Sequence, residues 1–107
     1  MKYEYTEKAF ESLSNFSIET REKIRDKIEE ASAEEFFNHE SYSYVYDHHG
    51  NPWDKLDFKE GELNYRVFFA KIESKVYILD IFHREELDYE EEELYNLLDR
   101  IAEGKQG

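Results

Sequence analysis

The stretch LNYRVFFAKIESKVYILDIFHR, from Leu63 to Arg84, decides the fold of this chain. In residues 63–70 the side chains Leu, Tyr, Val and Phe fall on alternate positions, and residues 76–82 are rich in β-branched and aromatic types. Both patterns are typical of strands. Glu73 and Ser74 separate the two runs and predict a short turn. The stretch therefore predicts the two strands of a buried hairpin.

Cations stand in this hairpin where packing does not require them. Arg66 lies in the first strand, and His83 and Arg84 close the second. A cation beside a buried sheet usually has an anionic partner or an anionic ligand. The sequence thus leaves two interpretations of Arg66 open, an ion pair with a neighbouring Asp or Glu, or a role in binding an anion.

Charge is unevenly distributed along the chain. The formal net charge is −13, with −6 in residues 1–52, zero in residues 53–84 and −7 in residues 85–107. Because most non-specific affinity for nucleic acid comes from Lys and Arg that neutralise phosphates, this acidity argues against a simple nucleic-acid-binding protein. The neutral hairpin region is where we expect an anion to bind.

Length and composition predict one domain, residues 1–107. Aromatic residues make up 17% of the 107 residues, enough for one compact core. The sequence has no Cys, no apolar run near the roughly 18 residues that span a bilayer, and no signal-peptide pattern at its start. We therefore expect a soluble, cytoplasmic protein without disulfides.

The first part of the chain predicts a short strand followed by two helices. Lys2 to Tyr5 alternates as a strand does. Thr6 is a candidate N-cap for a helix that runs to about Phe16. Ser17 is a second candidate N-cap, opening a helix from Ile18 to about Asn38. The apolar stripe of this second helix is narrow, which suits a helix that lies on a sheet.

The remainder predicts three or four strands and a last helix. Residues 41–47 alternate Tyr with small residues and predict a strand, whereas residues 48–52 contain Gly, Asn and Pro and predict a loop. Residues 53–58 lead to a turn at Glu60 and Gly61, and the C-terminal helix follows Arg84, with Asp88 as its candidate cap. This order favours an α+β domain with a mostly antiparallel sheet and helices packed on one side.

Three segments of the chain together resemble the RelE/ParE toxin superfamily, especially the RelE-like translational repressors of toxin–antitoxin modules. They are Trp53-Asp-Lys-Leu56, the run from Gly61 to Phe69 that contains Tyr-Arg, and Val76 to Arg84, which ends in His-Arg. With the preceding strand and two helices, the likeness spans most of the chain. The resemblance implies a RelE-like β-α-α-β-β-β-α fold with a mostly antiparallel sheet and helices packed on it.

The resemblance also implies a function and a set of residues that perform it. RelE-like toxins of type II toxin–antitoxin systems are endoribonucleases that cleave ribosome-bound mRNA without a metal or cofactor, inhibit translation and are silenced by a cognate antitoxin. Such chemistry must deprotonate a 2′-hydroxyl, stabilise the phosphate anion and protonate the leaving 5′-oxygen. By position, Arg66 and Arg84 match the family's phosphate-binding arginines. His83 or Tyr89 matches the acid or base. Lys55 and Lys59 match the family's lysines.

A second function is compatible with the same likeness. The segment Asp57 to Glu62 has one Lys among three acids, where active members carry a lysine-rich strand. The alternative is therefore a catalytically inactive RelE-fold protein that acts by protein–protein binding, as a ParE-like topoisomerase inhibitor or as a regulatory or viral module. An α+β domain of unrelated function is the third possibility.

Two further groups of side chains have a structural interpretation that we prefer. His39, His48 and His49 offer no third ligand at a spacing that closes a tetrahedral metal site, so we expect no metal there. The alternating Tyr42, Tyr44 and Tyr46 could stack on bases, but few cations lie near them, so packing or protein contact is the better interpretation.

Overall fold

The computed structural model describes residues 1–46, 49–60 and 63–83 of the chain. Over these residues it shows an α+β fold of two helices and a five-stranded sheet, and the α+β class agrees with the sequence prediction. In chain order the elements are β1 (Tyr3–Tyr5), α1 (Glu7–Leu13), α2 (Ile18–Ala33), β2 (Tyr42–Tyr46), β3 (Pro52–Glu60), β4 (Leu63–Ile72) and β5 (Lys75–His83).

The sheet is mostly antiparallel, in the order β1-β5-β4-β3-β2. Strands β2 to β5 form a meander of antiparallel neighbours, and β1 pairs in parallel with β5, with Tyr3 opposite Val76. The predicted hairpin is the pair β4 and β5, and its turn lies at Glu73 and Ser74. The register shifts between Phe68 and Phe69, so a bulge interrupts the hairpin at its middle.

Both predicted N-caps are confirmed. The Thr6 hydroxyl accepts the backbone N–H of Ala9 at 3.2 Å and donates to the carbonyl of Ile78 at 2.9 Å. Thr6 therefore starts α1 and also joins it to β5. Ser17 caps α2 by accepting the N–H of Thr20 at 3.2 Å.

The predicted end of α2 near Asn38 is wrong, because the helix ends at Ala33. Glu35 and Phe36 follow with φ of 60° and 59°, which is left-handed backbone. The N–H of Phe36 donates to the carbonyl of Ala31 at 2.8 Å, and that of Glu35 donates to Ser32 at 3.1 Å, which is a Schellman end without glycine. The turn places Phe36 in the core, fully buried, and this burial offsets the strained backbone.

An apolar cluster lies on each face of the sheet. The helices pack on one face, around a core of buried residues that comprises Ala9, Leu13, Ile24, Ile28, Ala31, Phe36, Leu56, Phe58, Tyr65, Val67, Phe69, Val76, Ile78 and Ile81. A second, smaller cluster lies on the opposite face and comprises Trp53, Phe68, Ala70, Leu79 and Phe82. Strand alternation separates the two clusters, as β4 shows with Val67 on the first face and Phe68 on the second.

Within the described residues four strands follow α2, whereas the RelE-like order that the resemblance implies has three. Pro52 opens β3 rather than ending a loop, and β3 continues to Glu60, where the sequence predicts the start of a turn. The predicted C-terminal helix, with its cap at Asp88, lies outside the described residues. Within the described part of the chain, neither helix is long and apolar enough to cross a membrane.

Candidate functional site

Neighbouring strands bring two of the predicted site residues together on the sheet face opposite the helices. Arg66 of β4 stands directly opposite Asp57 of β3, and Lys55 of β3 stands opposite Ser43 of β2. Lys55 and Asp57 are two residues apart on one strand and so share a face. We call Ser43, Lys55, Asp57 and Arg66 the Asp57 cluster.

The Asp57 carboxylate holds both cations of this cluster. Its Oδ1 lies 2.9 Å from Nε of Arg66, and among the described residues neither atom makes an aligned hydrogen bond, so this contact is mainly electrostatic. Its Oδ2 accepts from the Lys55 ammonium and, at 3.0 Å, from the Ser43 hydroxyl. Lys55 also donates to Ser43 at 2.6 Å. The ion pair that the sequence left open for Arg66 is therefore present.

The two cations of the Asp57 cluster are largely buried, so they depend on their contacts with the carboxylate. The side chains of Lys55 and Arg66 are 7% and 19% exposed, and that of Asp57 is 38% exposed. A buried ammonium requires a partner because its desolvation is costly. Two positive charges meet one negative charge here, so the cluster keeps a formal surplus of one positive charge. The Asp57 cluster is thus a place where an added anion is favoured in an acidic protein.

Lys59 lies on the same face as the cluster but at its exposed end. It follows Asp57 by two residues on β3 and stands opposite Asn64. With Asp57 and Glu40 it lines an open cavity of about 430 Å³. Lys59 therefore extends the cluster toward solvent, next to an acid.

His83 lies on the other face of the sheet. It stands opposite Tyr65, which belongs to the helix-side core, whereas its neighbour Phe82 stands opposite Arg66. His83 lines a cleft of about 600 Å³ between α1 and the end of β5. The sheet therefore separates His83 from the Asp57 cluster. The other two predicted site residues, Arg84 and Tyr89, lie outside the described residues.

The cleft beside His83 contains a buried acid that the sequence did not single out. Asp80 is completely buried, and its Oδ1 accepts from the Ser12 hydroxyl of α1 and from the backbone N–H of Ile81 at 2.8 Å. Asp80 is the one acid in the apolar run from Val76 to Phe82, and that contrast was the available signal. Its contact with Ser12 fastens α1 to β5.

A possible metal-ligand group occurs at the end of α2, formed by Glu30, Glu34 and His39. Nε2 of His39 faces carboxylate oxygens of Glu30 at 3.6 Å and Glu34 at 3.5 Å. Nδ1 of His39 accepts the backbone N–H of Ser41 at 3.1 Å, which assigns the ring proton to Nε2. A metal-binding His instead donates from its second nitrogen. The arrangement therefore fits a His whose Nε2–H points toward acids, not a metal ligand.

The tyrosines of β2 divide into one packed and two exposed residues. Tyr42 packs on Phe37, with ring centroids 5.1 Å apart, and donates its hydroxyl to Asp54 at 2.6 Å. Burial, and then this hydrogen bond, raise the pKa of Tyr42 to about 12. Tyr44 and Tyr46 are 54% and 55% exposed. Packing is thus confirmed for Tyr42, and the other two present their rings to solvent.

The fold and the cluster define an α+β domain with a cationic group on one sheet face. No protein-family model, no curated protein and no solved structure matches the chain. The RelE/ParE likeness therefore rests on the sequence segments quoted above, and the functions that it implies stay predictions.

Proposed function

We propose that this chain is the toxin component of a type II toxin–antitoxin module, a metal-free endoribonuclease that cleaves ribosome-bound mRNA and is held inactive by a cognate antitoxin. A RelE-like topology is part of the proposal. The three quoted segments support it, and the α+β fold with a mostly antiparallel sheet is compatible with it. The observation that carries it is the surplus of positive charge in the Asp57 cluster.

A phosphate can use that surplus without displacing Asp57. The contact between Arg66 and Asp57 engages Nε, and the described residues offer no further partner to the terminal Nη groups. A guanidinium has five N–H donors in a fixed plane, so one edge can hold a carboxylate while another holds a phosphate oxygen. Arg66 is therefore the phosphate-stabilising residue of the proposed reaction, and Lys55, bound to the same carboxylate, adds a second positive charge.

Proton transfer requires a group on the same face as Arg66. His83 lies across the sheet, and Lys55 is buried and bound to Asp57. Of the described candidates, Lys59 shares the face and is exposed. We therefore assign Lys59 the role of acid or base within the described residues, whereas Arg84 and Tyr89 keep the roles that the resemblance implies.

Expression of the protein without an antitoxin tests the proposal. We expect the wild type to arrest growth and to fragment mRNA, Arg66→Ala to do neither, and Arg66→Lys to keep part of the activity through its charge. Lys71→Ala is the matched control, because it removes an exposed cation from the same strand, β4. Normal growth and intact mRNA in cells that express the wild-type protein would refute the toxin function.

The second candidate is a RelE-fold protein that binds other proteins and has lost catalysis, as a ParE-like topoisomerase inhibitor or as a regulatory or viral module. The observation that favours it is the separation of His83 from Arg66 by the sheet, which divides the predicted catalytic set. The same expression experiment distinguishes the two candidates. Growth arrest with intact mRNA that persists in Arg66→Ala supports protein binding and excludes the nuclease.

A further inference from the structure

Among the described residues, the outer edge of β2 lacks the usual protection of an edge strand. Edge strands normally carry charges, Pro, bulges or a short length that prevent another strand from pairing with them. The opposite edge, β1, has only three residues and bears Glu4, which is paired with Lys75. In contrast, β2 reads Tyr-Ser-Tyr-Val-Tyr, uncharged over five residues in a chain in which 38% of residues are charged.

Backbone groups of β2 point away from the sheet at two of its tyrosines. The carbonyl of Ser41 accepts the N–H of Asp57 on β3 at 2.9 Å, so residue 41 faces β3. Residues two apart on a strand face the same way, and Ser43 and Val45 therefore also face β3. Tyr44 and Tyr46 face outward, and no strand of the described residues lies beyond them.

Exposed aromatic rings accompany this outward-facing backbone. The rings of Tyr44 and Tyr46 meet edge to face at 5.5 Å and are about half exposed. Phe37, at 37% exposure, continues the aromatic surface through its contact with Tyr42. An added strand thus finds hydrogen-bonding groups at the edge and an aromatic surface beside them.

Charge selects the kind of strand that fits. Glu40 is exposed immediately before β2 and lines the open cavity beside its first residues, where Lys59 is the one exposed cation among the lining residues. Glu34 is a further exposed acid on the turn that leads to β2. The whole chain carries −13, so a second copy is repelled and a basic segment is attracted.

We propose that the outer edge of β2 binds a basic, extended segment of a partner protein, which pairs with the backbone of Tyr44 and Tyr46 and becomes a sixth strand. The inference does not depend on the nuclease proposal, because the outward side of Tyr44 is not part of the Asp57 cluster.

A pair of synthetic peptides tests this surface, one alternating Lys with Val and the other alternating Glu with Val. Titration calorimetry compares the wild-type chain of residues 1–107 with Tyr44→Pro and Tyr44→Val. Proline at Tyr44 removes one outward N–H while leaving the bonds between β2 and β3, and Val keeps the N–H but removes the ring. Urea unfolding confirms that both variants remain folded.

We expect the Lys peptide to bind the wild type, to bind more weakly as salt is added, and to bind Tyr44→Pro about tenfold more weakly than Tyr44→Val. Equal binding of the Lys and Glu peptides, or no binding of either, overturns the proposal. Equal binding of the Lys peptide to both variants also overturns it. Sedimentation that shows a dimer of the wild type, lost in Tyr44→Pro, assigns the edge to a second copy instead.

Failure of the proposal for the β2 edge is distinguishable from failure of the toxin function. Tyr44→Pro leaves Arg66 and its carboxylate in place, so we expect mRNA cleavage to continue in that variant. Loss of peptide binding with continued cleavage confirms two independent surfaces. Cleavage that is absent in the wild type rejects the nuclease and leaves the peptide result to stand alone.

Discussion

Replacement of Asp57 by Asn is the most informative test of the cation cluster. The substitution preserves size and removes the one negative charge that Lys55 and Arg66 share. The Asn amide can still accept hydrogen bonds through its oxygen, but its NH₂ group faces cations. Two largely buried positive charges are then left without a counterion, and we expect the folded state to be destabilised.

The expected loss lies between two known limits. Removing one partner of a fully buried ion pair costs about 3–5 kcal/mol, whereas an exposed pair contributes about 0–1 kcal/mol. Lys55 is near the first limit at 7% exposure, but Asp57 is 38% exposed and partly screened by water. We therefore expect Asp57→Asn to lower the free energy of unfolding by about 2 kcal/mol. In a domain of this size, that corresponds to a fall in Tm of roughly 10 °C.

Urea unfolding followed by circular dichroism measures this loss. Asp26→Asn is the matched control, because it removes the same charge from an exposed position on α2, and we expect it to change stability by less than about 0.5 kcal/mol. Both variants reduce the net negative charge equally, so relief of general repulsion cancels in the comparison. Equal stability of the two variants would contradict the role assigned to Asp57.

Three further predictions concern other parts of the fold. Thr6→Ala should lower the free energy of unfolding by about 1–2 kcal/mol, and Ser17→Ala should lower it by about 0.5–1 kcal/mol. The loss is larger for Thr6 because its hydroxyl also donates to the carbonyl of Ile78. Equal losses in urea unfolding would contradict this. In the folded state the pKa of Tyr42 is raised from 10 to about 12, so the stability that its protonated hydroxyl contributes is complete below pH 10 and is lost as pH rises through 12. Tyr42→Phe should therefore lose less stability than the wild type when unfolding is measured between pH 10 and 12. Identical dependence of stability on pH in the two proteins would contradict this. Zinc should not raise the Tm, since Nδ1 of His39 accepts a hydrogen bond; a rise that disappears in His39→Gln would show a metal site.

Local signals predicted the starts of elements well. Thr6 and Ser17 are recognisable as N-caps because a hydroxyl before a periodic run satisfies N–H groups of the first turn, which depends only on nearby residues. The turn at Glu73 and Ser74 is likewise visible locally, as a polar break between two apolar runs. Such features need no information from distant parts of the chain.

The end of α2 could not be predicted in this way. The apolar pattern continues past Ala33, and no glycine marks the left-handed residues Glu35 and Phe36. The helix ends because Phe36 reaches a site between Tyr3 and Phe69, which are far away in the sequence. A core contact between distant residues therefore overrides the local helical preference.

The candidate site shows the same limit. The sequence singles out Arg66, and the resemblance adds Lys55, but the register that places Asp57 opposite Arg66 arises from pairing between strands. The pairing of Tyr65 with His83 was equally hidden, and it moves His83 to the helix side of the sheet. A shift of one residue in register exchanges the faces of every side chain on a strand.

Cleavage of mRNA on translating ribosomes tests the central claim most directly. Purified protein is added to a reconstituted translation reaction, and the cut sites on the mRNA are mapped by primer extension. The account predicts cuts with the wild type and with Lys71→Ala, and none with Arg66→Ala. Intact mRNA with the wild type, or equal cutting by Arg66→Ala, would contradict the assignment of the Asp57 cluster to phosphate binding.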